Sequence, residues 1–190
     1  MIPFFVVLLI CCFGSLVLQH FIPPLPFLEG ARVYLMPLVF FYGALSLPFS
    51  LMLLLAFCCG LMWDALTTLV YPVKGVPTVE LMVGFSVILF AVLGAVMSGF
   101  RPLFQRGRWE VHCLMSGVCT AAMLLTEFVA ITVRRAAVDG GGFFWAPEIA
   151  WRIGGAGLVA MVLAPVVFFV LSFLARLVGY DPRQMEREEE

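Results

Sequence analysis

Two carboxylates stand inside long apolar runs of this 190-residue chain: Asp64, in Gly60-Leu-Met-Trp-Asp64-Ala-Leu66, and Glu127, in Leu124-Leu-Thr-Glu127-Phe-Val-Ala. An ionisable side chain among apolar neighbours is costly to keep, so each is a functional hypothesis by default. Asp64 reads either as such a group or as a helix-end residue, hydrated or capping a loop amide. Glu127 reads either as a proton-relay or ion-coupling group or as a buried carboxylate, protonated or paired within a bundle. Its cationic neighbours in sequence, Arg134 and Arg135, lie about two turns further on the same helix. His112 and Ser116 are spaced i, i+4, one turn apart. Nucleophilic catalysis needs a nucleophile, a base and an orienter in mutual reach, and Glu110 is the one carboxylate near that face. The pair reads as an interfacial histidine and a small packing serine.

Other chemistry fails on spacing. The six cysteines (Cys11, Cys12, Cys58, Cys59, Cys113, Cys119) all lie in apolar stretches and form no C-x-x-C pair. With His20 and His112 the only histidines, they assemble no zinc motif and read as small buried hydrophobes. Gly140-Gly141-Gly142 lacks the Lys-Ser/Thr that completes a phosphate loop and reads as a flexible turn. The sequence offers no catalytic residues, no cofactor site and no metal site.

The elements that would position these residues follow from composition. Hydrophobic residues make up 63% of the chain and charged residues only 12%, against roughly 25% charged in a soluble domain. Mean hydropathy is +1.09. This is the composition of a polytopic membrane protein. No hydrophilic stretch is long enough for a separate catalytic or nucleic-acid module, and a net charge of −1 implies no polyanionic partner. The start, Met1-Ile2-Pro3, lacks the positive residues of a secretory signal, so the first apolar run is expected to be retained as a span.

A bilayer core about 30 Å thick needs about 20 helical residues. Six spans fit, at 2–22, 33–46, 49–66, 79–100, 111–133 and 149–178, packed as one all-α transmembrane domain over 1–180. Residues 33–63 carry no charge, and Leu47-Pro48 divides them into two short helices, because proline removes a donor and disfavours helix just before it. Short helices are tolerated inside a bundle. A turn is expected at 71–77, and Pro165 predicts a kink in the last span. Phe143, Phe144 and Trp145 suit the interfacial belt. The basic cluster Arg101, Arg106, Arg108 outweighs scattered Arg32, Lys74, Arg134, Arg135 and Arg152, and favours both termini in the cytoplasm. Residues 181–190 then form a short charged cytoplasmic tail. Ala91, Ala95 and Gly99 recur every fourth residue, as do Gly117 with Ala121 and Ala156 with Ala160. Small residues at this spacing let a second helix approach closely, either within the bundle or from another subunit.

Taken in order, these features resemble the MreD family of bacterial rod shape-determining proteins. Arg32 precedes a short apolar helix ending in Ala44-Leu45-Ser46-Leu47-Pro48; the Gly60…Asp64-Ala-Leu66 segment follows, then Phe100-Arg101-Pro102-Leu103, then Pro147-Glu148-Ile149 opening the last helix. The resemblance covers about 32–177. It implies a non-catalytic multi-pass subunit of the bacterial cytoplasmic (inner) membrane that helps control rod shape and lateral peptidoglycan synthesis. Its implied partners are MreC first, then MreB, RodA and RodA's transpeptidase partner, with self-association also open. The implied fold is similar to that of the substrate-binding subunits of energy-coupling-factor transporters, and such a small-molecule binding subunit is the alternative function. Gly60, Asp64, Ala91, Ala95, Gly99, Arg101 and Glu127 are the candidate structural or partner-contacting residues.

Overall fold

The protein was analysed as a computed structural model, which describes residues 2–28, 30–67, 70–73, 76–79, 83–102, 109–139 and 147–180. Among these, six longer α-helices run in the order α1 (Ile2–Phe21), α2 (Met36–Ser46), α3 (Phe49–Thr67), α4 (Phe85–Gly99), α5 (Trp109–Asp139) and α6 (Pro147–Leu177). A 3-10 turn at Pro26–Leu28 follows α1. Strands β1 (Val70–Val73) and β2 (Val76–Val79) form an antiparallel hairpin between α3 and α4. Four of the helices, α1, α3, α5 and α6, are long and apolar enough to cross a membrane, and α2 and α4 are shorter apolar helices. The chain is a helical membrane protein.

Leu47-Pro48 does separate two helices, because α2 stops at Ser46 and α3 starts at Phe49. The two helices expected at 33–46 and 49–66 are there as α2 and α3, and the departure lies in the next helix. α3 has 19 residues, enough to cross, whereas α4 has only 15 in place of the span expected over 79–100. Of that expected span Val79 pairs with β1 instead, and Gly84, at φ 100°, turns the chain into α4. That backbone conformation suits glycine, which has no Cβ to clash. α5 is longer than the expected 111–133, α1 and α6 lie within about a residue or two of expectation, and α6 continues through Pro165. The expected aromatic belt at 143–145 and the charged tail at 181–190 lie outside the described residues.

α2 is the hub. It packs against every other helix, while α3 pairs with α4 and α5 pairs with α6 along their lengths. All eleven of its residues are buried, so it has no lipid-facing side. At 1.5 Å per residue it is about 16 Å long, roughly half a bilayer core. Its Phe40 meets Phe90 of α4 edge-on, with ring centroids 4.9 Å apart, and Tyr42 lies 5.5 Å from Phe168 of α6. Cys12 of α1 and Cys59 of α3 are both buried in the same apolar core. The start of α1 and the end of α6 share one end of the bundle, since the rings of Phe4 and Tyr180 stack at 4.2 Å.

Candidate functional site: a polar frame around the central helix

A helix leaves donors unsatisfied at its start and acceptors at its end. In α2 both ends are inside the protein, so other helices must satisfy them. At the start, the side-chain oxygen of Gln19 on α1 accepts from the backbone N–H groups of Leu35 (3.1 Å) and Met36 (3.4 Å). Pro37, in the first turn, has no N–H to place. At the other end, Arg101, just past α4, donates through one guanidinium nitrogen to the carbonyls of Ala44 and Leu47. The Tyr180 hydroxyl donates to the Ser46 carbonyl at 2.5 Å. Burial pushes the Tyr180 phenol up to about 12, so it stays a protonated donor at neutral pH. A guanidinium at a helix C-terminus also meets the negative end of the helix dipole.

Asp64 is 5% exposed, and its Oδ2 accepts the Gly84 N–H at 2.6 Å. The contact is an amide cap made by a buried carboxylate. It also places negative charge at the start of α4, where the helix dipole favours it. Gly60, one turn earlier, is where α3 and α4 touch, since a Cβ there would land on the backbone of Val87.

Glu127 on α5 takes the indole N–H of Trp63 on α3, with 2.7 Å between Nε1 and Oε1. Trp63 is buried and sits 6.1 Å from Phe90 and 5.7 Å from Tyr34, centroid to centroid. The adjacent residues Trp63 and Asp64 thus tie α3 to both α5 and α4. Beside Glu127 a cavity of about 310 Å3 opens between the Gly30–Tyr34 stretch, the latter half of α5 and the start of α6. Arg32, Tyr34 and Arg152 line it together with Glu127.

His112 is wholly buried, with Nε2 3.2 Å from the Phe100 carbonyl at the end of α4. As donor there it caps that helix. Ser116 and Thr120 are equally buried and donate to carbonyls one turn back on α5, which occupies their protons and sets up no nucleophile. Among the described residues no three His, Cys, Asp or Glu side chains gather to hold a metal ion.

The small-residue faces divide. Gly117 and Ala121 do meet α6 within the bundle, as a Cβ on Gly117 would lie 2.7 Å from the Gly157 carbonyl. Ala156 and Ala160 are buried as well. Ala91, Ala95 and Gly99 are different. α4 packs inward through Ser86, Phe90, Leu93, Gly94 and Met97, while Ala95 and Gly99 are exposed and Ala91 is half-buried. A Cβ on Gly99 would meet nothing within 4 Å. Of the seven candidates, Gly60, Asp64 and Arg101 belong to the frame around α2 to α4, Glu127 joins it through Trp63, and the other three lie outside it. Gln19, Tyr180 and the cavity residues Tyr34 and Arg152 were not singled out from sequence. The one available signal was that a polar or aromatic side chain beside the ends of a short, fully apolar helix has backbone groups to satisfy.

A scan against family models, a search of curated proteins and a search of solved structures each return no match.

Proposed function

We propose that the chain is an MreD-like scaffold: a six-span, non-catalytic subunit of the bacterial cell-elongation machinery, seated in the inner membrane. It would hold MreC and bring MreB filaments to RodA and RodA's transpeptidase. The observation that supports this is where the resemblance residues fall. The Ala44–Pro48 segment, Gly60, Asp64 and Arg101 all act in one rigid frame, giving carbonyls, a close approach or a cap. Such residues build a shaped surface rather than a reaction site. The outward Ala95 and Gly99 on α4 offer a smooth strip on which a single-span partner helix can lie closely.

The experiment is a tagged pull-down from native cells in mild detergent, comparing the wild-type chain with Gly99→Leu. Recovery of MreC with RodA, reduced at least tenfold by Gly99→Leu, is the expected result. A pair of ATPases with a coupling membrane subunit would instead support the second reading, an energy-coupling-factor type substrate subunit. That reading is favoured by the cavity beside Glu127, which is at the small end of the range of ligand pockets. Recovery of neither set would sink both.

A further inference from the structure

Four helices of this bundle form two tightly closed pairs. Between α3 and α4, a Cβ on Gly60 would land on the Val87 backbone; between α5 and α6, a Cβ on Gly157 would lie 3.0 Å from that of Ala121. Contacts this close make each pair a single body. From one pair to the other the packing is slight. α4 touches α5 over a short stretch, and α3 and α5 do not pack along their lengths. α2 stands between the pairs and packs against both.

The two ends of the bundle are fastened differently. Where α6 finishes, the Tyr180 hydroxyl donates to the Ser46 carbonyl and its ring stacks on Phe4. Nearby the Tyr42 hydroxyl donates to Ser172 Oγ at 3.2 Å, and His112 meets the Phe100 carbonyl. These contacts hold the α5–α6 pair to α1, α2 and α4. Where α6 begins, the cavity of about 310 Å3 stands between that pair and the Gly30–Tyr34 stretch. At its edge the Trp63 indole donates to Glu127 Oε1 at 2.7 Å, joining α3 to α5 from one pair to the other.

We propose that the Trp63–Glu127 hydrogen bond is a latch: α5 and α6 pivot together about the end fastened by Tyr180, and releasing the bond opens the cavity at the other end. Rigid-body rotation of packed elements about a fixed contact is a general form of conformational switching. A hydrogen bond suits the role because it weakens steeply with angle and distance, so it is either made or broken, whereas apolar side chains can slide. The latch is independent of any protein partner.

The test uses the full chain in mild detergent carrying Leu124→Cys, at a position on the cavity wall. Labelling by a water-soluble maleimide is timed by peptide mass spectrometry, which separates position 124 from the native Cys113 and Cys119, both buried elsewhere on α5. Its rate follows the population of the open form. Trp63→Phe keeps a ring against Phe90 and Tyr34 without an N–H to donate. It should speed labelling at 124 by about tenfold, the factor for one hydrogen bond to a carboxylate. Glu127→Leu removes the acceptor instead and should do the same, and the two changes together should go no further, since one bond is lost only once. Both variants leave the engaged Arg134, Arg135 and Arg152 as they are. Cys113 and Cys119 should label at unchanged rates throughout. An unchanged rate at 124, additive effects of the two changes, or equal acceleration at Cys113 and Cys119, the sign of general loosening, would overturn the proposal.

Discussion

At the residue scale, the polar groups of this protein act mainly on backbone that the membrane cannot hydrate. An unsatisfied carbonyl or amide away from water costs several kcal/mol in hydrocarbon, and Arg101 answers two of the carbonyls of α2 at once. Arg101→Ala should therefore lower stability in detergent by about 1–3 kcal/mol, read by chemical unfolding. Arg101→Lys should recover only part of it, since one ammonium is a poorer fit than a fork. An Arg101→Ala protein as stable as wild type would mean that the contact contributes nothing. Asp64 separates two contributions. Asp64→Asn keeps an oxygen for the Gly84 N–H and removes the charge at the start of α4, a loss of about 0.3–1 kcal/mol for that charge. Asp64→Ala also abandons the amide and should cost about 1–3 kcal/mol. If the two variants melt together, the hydrogen bond is not what Asp64 contributes.

At the element scale, α2 shows why a helix of about half a bilayer's length is tolerated: it never meets lipid, and its ends are closed by Gln19, Arg101 and Tyr180. Gln19→Ala opens the start of α2 and is expected to cost about 0.5–2 kcal/mol, the range for losing a helix N-cap, with faster amide exchange at Leu35 and Met36 as the local signature. Two glycines a few turns apart in their helix pair should respond in opposite ways. Gly60→Ala forces α3 off Val87 and should destabilise by about 1–3 kcal/mol through overpacking. Gly99→Ala meets open space at the last residue of α4 and narrows the freedom of the unfolded chain, so the isolated protein should be unchanged or about 0.4–1 kcal/mol more stable. Thermal unfolding of the two purified variants decides the matter, and a destabilised Gly99→Ala would show that this strip is already covered within the fold.

At the scale of the whole molecule, the stacked Phe4 and Tyr180 bring the start of α1 and the end of α6 together. Reporter fusions ahead of α1 and after residue 180 should then report the same side of the membrane. Opposite sides would contradict the bundle as described. The Arg101, Arg106, Arg108 cluster makes the cytoplasm the expected side, with Arg106 and Arg108 beyond the described residues.

Membrane class, the break at Leu47-Pro48 and the extents of α1 and α6 were legible in the sequence, because each depends on a local sum of hydropathy or on proline's missing donor. The shortness of α4 was not, since Val79 at the head of the expected span pairs with β1 and Gly84 turns the chain so that the helix starts only at Phe85. Which face of a helix is buried was also hidden. In a soluble helix the core side is the apolar side, but a membrane helix is apolar toward both its neighbours and the lipid, so periodicity loses its contrast. Ala91, Ala95 and Gly99 looked like Gly117 and Ala121 for that reason, and only packing separated them. The meeting of Arg101 with Ala44 and Leu47, and of Trp63 with Glu127, spans more than fifty residues of chain. Those contacts were decided by where the tertiary structure left backbone and side-chain polar groups without water.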